Sequence, residues 1–73
     1  MQIAVLGTGM VGQSLAGGLA ALGHGVTIGT RDPLAALART DPGGVGAWRT
    51  GHPDVAVETF AEAARDADLV INA

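Results

Sequence analysis

The chain has 73 residues, of which 48% are hydrophobic and 15% charged, and its formal net charge is −3. It contains four arginines and no lysine, and the composition therefore disfavours nucleic-acid binding, which usually requires a basic stripe. The absence of cysteine excludes disulfides and thiolate sites. No apolar stretch approaches the roughly 20 residues that span a bilayer, and no basic segment precedes the first apolar run, so we expect a cytoplasmic protein without membrane contact.

Few large side chains are available to build a core. Trp48 and Phe60 are the only aromatic residues, and small side chains bury little apolar surface at about 25 cal/mol per Å². The chain is also shorter than an average domain. We therefore expect it to be a piece of a longer protein, or to be completed by a partner such as a second copy in a homo-oligomer.

The first third of the chain predicts a strand, a glycine turn and a helix. Gln2–Leu6 is a short apolar run that ends in glycine, which is typical of a strand buried on both faces. Over residues 10–22 the apolar residues recur every three or four positions, which is the pattern of an amphipathic helix. The stripe that this pattern predicts to be buried consists of Val11, Leu15, Leu19 and Leu22.

Glycines mark the interior and the end of this helix. Gly17 and Gly18 each weaken it by roughly 1 kcal/mol relative to alanine, and we interpret them as positions of close packing against the sheet. Gly23 is predicted to end the helix in the left-handed conformation that glycine tolerates. Residues 25–29 are predicted to form the second strand.

A second helix is predicted to begin after Asp32, which stands before a proline in the manner of an N-cap. It is expected to run over residues 33–39 and to bury Leu34 and Leu37. Residues 41–53 are rich in Gly and Pro and predict one long loop. Within that loop we interpret Trp48 as a hydrophobic plug, and we expect no metal site at its histidine because no second ligand is near.

The remaining residues predict a short strand at residues 55–57, a helix and a final strand at Leu69–Asn72. Thr59 and Glu62 have the spacing of a capping box at the start of that helix. The alternation of strands and helices predicts an α/β fold, a Rossmann-type parallel sheet with helices on both faces, truncated after the fourth strand. The first two helices are expected to cover one face and the third the other, with the fourth strand at the edge.

A glycine motif lies between the first strand and the first helix. Residues 7–12 read Gly-Thr-Gly-Met-Val-Gly, and a G-x-G-x-x-G that joins a buried strand to an amphipathic helix is typical of a dinucleotide-binding turn. In such a turn Gly7 allows the tight bend, Gly9 lets the pyrophosphate approach the backbone and Gly12 lets the helix pack close to the strand. The N–H groups of the first helical turn would face the phosphates.

The end of the second strand distinguishes NADP from NAD. NAD-binding proteins usually place an acidic residue there, roughly 20 residues beyond the motif, to bind the ribose 2′-hydroxyl. Here Thr30 and Arg31 occupy that region, and an arginine can bind a 2′-phosphate through a planar, charge-assisted fork. Asp32 is the rival ribose ligand, but its position before a proline explains it as a helix cap. The residues therefore favour NADP(H) as the cofactor.

The chain resembles the N-terminal domain of the NADP-dependent reductases of the deazaflavin coenzyme F420, relatives of pyrroline-5-carboxylate reductase. The resemblance is carried by residues 7–12, 22–32 and 62–73 and extends over essentially the whole chain. It implies that residues 1–73 are the N-terminal, incomplete part of an NAD(P)-binding Rossmann domain. It further implies that Thr30 and Arg31 hold the 2′-phosphate, and that the pyrophosphate is wrapped by Thr8, Gly9, Met10 and Val11.

Two classes of function fit such a unit. In an oxidoreductase it would hold NADPH while hydride moves to or from a small-molecule partner, which the resemblance implies is a deazaflavin. In a non-catalytic NADP-sensing module, nucleotide binding alone would be the output, and an inactive truncated fragment is a third alternative. No catalytic side chain is identified among the 73 residues.

Overall fold

The centre of the molecule is a sheet of four parallel strands, and the computed structural model describes all 73 residues. The strands are β1 (Gln2–Leu6), β2 (Gly25–Thr30), β3 (Ala56–Thr59) and β4 (Leu69–Asn72). The helices are α1 (Met10–Ala21), α2 (Pro33–Leu37), α3 (Val45–Thr50) and α4 (Phe60–Arg65). The spatial order of the strands is β3-β2-β1-β4, which confirms the predicted α/β, Rossmann-type fold.

The register of the sheet brings the carboxyl ends of three strands to one edge. Leu6, the last residue of β1, pairs with Gly29 of β2 on one side and with Asn72 of β4 on the other. In open α/β sheets, ligands bind at the carboxyl ends of the strands. The strand order therefore places the turn after β1 between the ends of its two neighbours.

The two faces of the sheet are covered unequally, as the sequence predicted. One face of β1 and β2 contributes Ile3, Val5, Val26 and Ile28 to the core, where they meet buried residues of α1, α2 and α3. The opposite face is covered by α4 alone, and a Cβ at Gly29 would lie 3.2 Å from Ala63 of that helix. None of the helices is long and apolar enough to cross a bilayer.

The prediction that the apolar stripe of α1 is its buried face is wrong. Val11 and Leu22 are 66% and 76% exposed, and Leu15 is exposed as well, whereas the buried residues of α1 are Gly12, Gln13 and Ala16. The reason is close approach: a Cβ at Gly12 would lie 2.5 Å from the Gly7 carbonyl oxygen. The face that carries Gly12 and Ala16, one position away from the apolar stripe, is therefore the face that meets the sheet. Of the stripe only Leu19 packs against the core.

Gly17 and Gly18 inside α1 do not contact the sheet, so their interpretation as positions of close packing against it is wrong. A Cβ at Gly17 would lie 3.3 Å from His52 Nε2 and 3.5 Å from Trp48 Cζ2, so its neighbours belong to α3 and the turn after it. A Cβ at Gly18 would meet nothing within 4 Å. Gly23 is confirmed as the glycine that ends the helix, with a φ of 93°. Its N–H donates to the Ala20 carbonyl at 3.0 Å, as in a Schellman motif.

Two expectations for the middle of the chain are corrected by the structure. α2 ends at Leu37 and buries Ala36, while Leu34 is 82% exposed, because the small side chain again faces the core. Residues 41–53 are not one loop, since they contain α3. A Cβ at Gly46 would collide with the Leu37 carbonyl oxygen, so this glycine lets α3 pack against the end of α2.

The aromatic side chain of α3 lies where the sequence predicted it. Trp48 is half-buried and packs against the core. The His52 ring is stacked on it with a centroid distance of 4.0 Å and an interplanar angle of 11°, and His52 Nδ1 lies 3.0 Å from the Trp48 carbonyl oxygen. This stack holds the segment between α2 and β3 against α1.

The capping box at α4 is confirmed. The Glu62 N–H donates to Thr59 Oγ1 and the Thr59 N–H donates to Glu62 Oε1, both at 3.2 Å. The Thr59 hydroxyl and N–H together hold the pKa of the exposed Glu62 carboxyl below its ordinary value of 4.5. At the other end of the sheet β4 forms the edge, as predicted, and leaves Leu69 and Val70 partly exposed.

Two glycines of α1 are expected to respond differently to substitution by alanine. Gly12→Ala should destabilise the protein by several kcal/mol, roughly the upper range for point substitutions, because its Cβ would collide with the Gly7 carbonyl. Gly18→Ala should instead stabilise it by up to about 1 kcal/mol, because alanine has the higher helix propensity and its Cβ would point into open space. Urea unfolding measures both changes, and equal effects would contradict the close approach of α1 to the turn.

Candidate functional site

The G-x-G-x-x-G turn is joined directly to the end of β2. The turn begins at Gly7, immediately after β1, and the Gly7 N–H donates to the Gly29 carbonyl at 3.0 Å. Thr30 and Arg31 follow Gly29 in the chain. The structure therefore brings the two predicted halves of the site, the glycine turn and the Thr30–Arg31 pair, to the same edge of the sheet.

The three glycines of the motif have different structural roles. Gly7 has a φ of 132°, and a Cβ there would lie 2.8 Å from the Ala73 carbonyl oxygen. Gly12 is required by the approach of α1 to the turn. Gly9 has an ordinary extended backbone with a φ of −75°, and a Cβ there would meet nothing within 4 Å. The fold thus requires the outer two glycines, whereas the middle one borders open space.

Backbone N–H groups at the beginning of α1 are hydrogen-bond donors that have no acceptor in the protein. Gly9 is the N-cap and provides no side-chain cap, and the first helical turn has no acidic residue. The Gln13 N–H donates to the Gly9 carbonyl at 2.9 Å, but the N–H groups of Met10, Val11 and Gly12 have no acceptor in the protein. Together with the positive end of the helix dipole, they form a surface suited to an anion.

Gln13 is a polar residue of the site that the sequence reasoning missed. It is 7% exposed, and its Nε2 donates to the Thr8 carbonyl at 2.8 Å and to the Gly43 carbonyl at 2.9 Å. Its position directly after Gly12 is the signal in the sequence, because close packing turns this face of α1 toward the sheet. The apolar stripe instead predicts that this face is exposed to solvent.

Thr30 and Arg31 differ in how they are held. Thr30 is the half-buried last residue of β2 and pairs in register with Thr59. Arg31 is exposed and makes no hydrogen bond or ion pair within the protein, since the one ion pair joins Arg39 to Asp41 at 3.6 Å. The Arg31 guanidinium is therefore available to a ligand at the carboxyl end of the sheet.

The carboxylate that follows Arg31 is engaged by the backbone. Asp32 is the N-cap of α2, and its Oδ1 accepts a hydrogen bond from the Ala35 N–H at 3.2 Å. Pro33 occupies the first helical position, as predicted. The structure thus confirms the capping interpretation of Asp32.

A cavity in the molecule lies away from this edge, and the charge of its lining does not suit a phosphate. It has a volume of about 130 Å³ and lies beside α4, on the sheet face opposite α1. Its lining includes three carboxylates, those of Glu58, Glu62 and Asp66. Carboxylates repel phosphate groups, so we place the candidate site at the open turn and not in this cavity.

Comparison with known proteins identifies the class to which this fold and site belong. A family model described as NADP oxidoreductase, coenzyme F420-dependent, matches residues 2–73. The chain therefore belongs to the family of coenzyme F420-dependent NADP oxidoreductases. The resemblance seen in the sequence is thereby confirmed.

A solved structure gives a more particular comparison. It is the crystal structure of a protein from Arthrobacter sp. FB24 that is assigned as an F420-dependent NADP-reductase. The two chains are 57% identical and superimpose with a TM-score of 0.94, over 100% of this chain and 33% of the other. This chain thus spans about a third of the length of that protein. A comparison with curated proteins found no match.

The capping role of Asp32 can be tested by substitution. Asp32→Ala should cost about 1 kcal/mol of stability because it removes the side-chain acceptor for the Ala35 N–H. Asp32→Asn is the matched control and should lose little, because asparagine caps helices about as well as aspartate. Chemical denaturation gives both values. Asparagine and alanine variants of equal stability would show that capping is not what this side chain contributes.

Proposed function

We propose that this chain is the NADP(H)-binding portion of an oxidoreductase that transfers hydride between NADPH and an acceptor such as a deazaflavin. The observation that carries the proposal is the state of the two side chains after Thr30. Arg31 has no partner within the protein, whereas Asp32 is committed to the helix cap. The group left to meet the adenosine ribose is thus a cation and not an acid.

The glycine turn supplies the pyrophosphate site in this proposal. The open space beside Gly9 is where a backbone-to-phosphate contact would form. The unused N–H groups of Met10 and Val11 would donate to phosphate oxygens, in the field of the α1 dipole. The rest of the turn consists of Gly7, Thr8 and Gly12. The close contacts of Gly7 and Gly12 hold its shape.

The Thr30–Arg31 pair supplies the preference for the 2′-phosphate. The Thr30 hydroxyl and the Arg31 guanidinium are both hydrogen-bond donors, and a guanidinium can bind two phosphate oxygens at once. An acidic side chain in the same place would favour the 2′-hydroxyl of NAD and repel the phosphate of NADP. The family to which the chain belongs is described as one of NADP oxidoreductases, which agrees with this choice.

The chemistry itself belongs to the cofactor. When bound, a nicotinamide nucleotide supplies the hydride donor or acceptor, and the protein supplies binding and orientation. The residues of this chain that we assign to that task bind the pyrophosphate and the ribose phosphate. A deazaflavin as the second substrate is supported by the description of the family and by the name of the Arthrobacter protein.

Removing the arginine tests the cofactor preference. Arg31→Ala should weaken NADPH binding by about 2–3 kcal/mol, in the upper part of the range for hydrogen bonds to charged groups. It should change NADH binding little, because NADH lacks the 2′-phosphate. Arg65→Ala is the matched control, since it removes an exposed arginine from α4 on the opposite face. Fluorescence titration with both nucleotides gives the four values. Equal losses for NADPH and NADH in the Arg31 variant would exclude the phosphate role.

A larger side chain at the middle glycine tests the pyrophosphate site. Gly9→Val should abolish binding of both nucleotides, because the valine side chain would fill the open space that the pyrophosphate needs. The protein should stay folded, because the backbone at Gly9 suits any residue and a Cβ there would meet no other atom within 4 Å. Gly18→Val is the matched control, since its Cβ would also meet nothing, and it should bind both nucleotides normally. Circular dichroism and titration are measured on each. Retained binding in the Gly9 variant would place the nucleotide elsewhere.

Hydride transfer tests the oxidoreductase assignment. Two samples of NADPH, each carrying deuterium at one of the two C4 positions, should behave differently with a deazaflavin when the complete natural protein is added. One should transfer its label to the deazaflavin and the other should keep it in NADP⁺, because a bound nicotinamide presents one face to the acceptor. Mass spectrometry of the deazaflavin and NADP⁺ measures the label. Tight NADPH binding without transfer to any acceptor would instead favour the sensing module.

A further inference from the structure

The amide of Gln13 joins two backbone segments that are far apart in sequence. Its Nε2 donates to the carbonyl of Thr8, inside the glycine turn, and to the carbonyl of Gly43, 30 residues beyond Gln13. An amide NH₂ has two hydrogens, and both are used. Because both partners are carbonyl oxygens, the NH₂ must face them, and the orientation of the side-chain amide is fixed.

The bond to Thr8 determines the direction of the next N–H group. Thr8 C=O and Gly9 N–H belong to one peptide unit, and the chain contains no cis peptide bond. In a planar trans peptide the C=O and N–H point in opposite directions. Since the Thr8 oxygen is held toward Gln13, the Gly9 N–H points away from it, and that N–H has no acceptor in the protein.

The bond to Gly43 ties the turn to the segment between α2 and α3. Gly43 lies in a tight turn that is closed by the Gly44 N–H, which donates to the Asp41 carbonyl at 2.9 Å. Gly44 itself is buried, and a Cβ there would lie 2.5 Å from the Arg39 carbonyl oxygen. This turn is therefore packed firmly enough to serve as an anchor for the Gln13 side chain.

We propose that Gln13 is a positioning residue that holds the Thr8–Gly9 peptide so that the Gly9 N–H faces the dinucleotide pyrophosphate. This inference rests on the proposed function and extends it to a residue that does not touch the ligand. Gln13 acts on the part of the nucleotide that NADPH and NADH share. It therefore sets the affinity for both without affecting the choice between them.

The test uses two substitutions of similar size in the complete protein. Gln13→Met removes both donors and should weaken NADPH and NADH by the same factor, about tenfold, which corresponds to roughly 1.4 kcal/mol. Gln13→Glu should weaken both further, because carboxylate oxygens would face two carbonyl oxygens. Val55→Ala is the control for lost stability, because Val55 is buried beside the amino end of β3, and it should bind both nucleotides normally. Unchanged affinity in Gln13→Met, or a loss confined to NADPH, would overturn the proposal.

Hydrogen exchange of the ligand-free protein separates this inference from the proposed function. In Gln13→Met the amide of Gly7, the glycine-turn amide that donates to the Gly29 carbonyl, should exchange at least fivefold faster relative to the amide of Val5, a core residue of β1, whereas Val55→Ala should leave that ratio unchanged. An unchanged ratio in Gln13→Met would show that Gln13 does not brace the glycine turn and would overturn the proposal. If the natural protein bound neither nucleotide, the proposed function would fail, and the role of Gln13 in positioning a nucleotide would fail with it even if the ratio changed.

Discussion

The rest of the structure depends on the contact between Gly12 of α1 and the Gly7 carbonyl. A Cβ at Gly12 would lie only 2.5 Å from the Gly7 carbonyl oxygen, so no side chain fits there. This close approach decides which face of α1 meets the sheet. Ala16 and Gln13 are turned inward as a result. The same contact holds the start of the helix beside the end of β1, so that the N–H groups of its first turn are directed at the edge where ligands bind in such sheets.

At the end of β2, the neighbouring residues Arg31 and Asp32 carry opposite charges and have different roles. Asp32 satisfies a backbone N–H of α2, and its carboxylate is thereby held toward the helix. Arg31 is left without an internal partner. We propose that cofactor choice follows from this difference, because a helix cap that engages Asp32 also removes the group that would favour the unphosphorylated ribose.

Local signals in the sequence predicted most of the fold and the location of the glycine turn. The four strands, the cap at Asp32 and the capping box at Thr59 depend on residues a few positions apart, so they can be recognised without knowing the packing. The buried face of α1 could not be predicted in that way, because periodicity detects large apolar side chains, whereas close packing selects small ones. Close packing also explains why the sequence does not reveal α3: Gly46 allows contact with α2 and does not mark a turn. Gln13 was missed because its partner Gly43 is 30 residues away.

The unequal roles of the three motif glycines have an evolutionary consequence. Gly7 and Gly12 are demanded by the protein's own backbone, so a descendant that abandoned its cofactor would still have to retain them in order to fold. The fold makes no such demand on Gly9, which could be substituted by other residues once nucleotide binding was no longer under selection. A homologue that keeps the outer pair and carries a bulky residue between them would thus be recognisable as a scaffold that has lost its nucleotide.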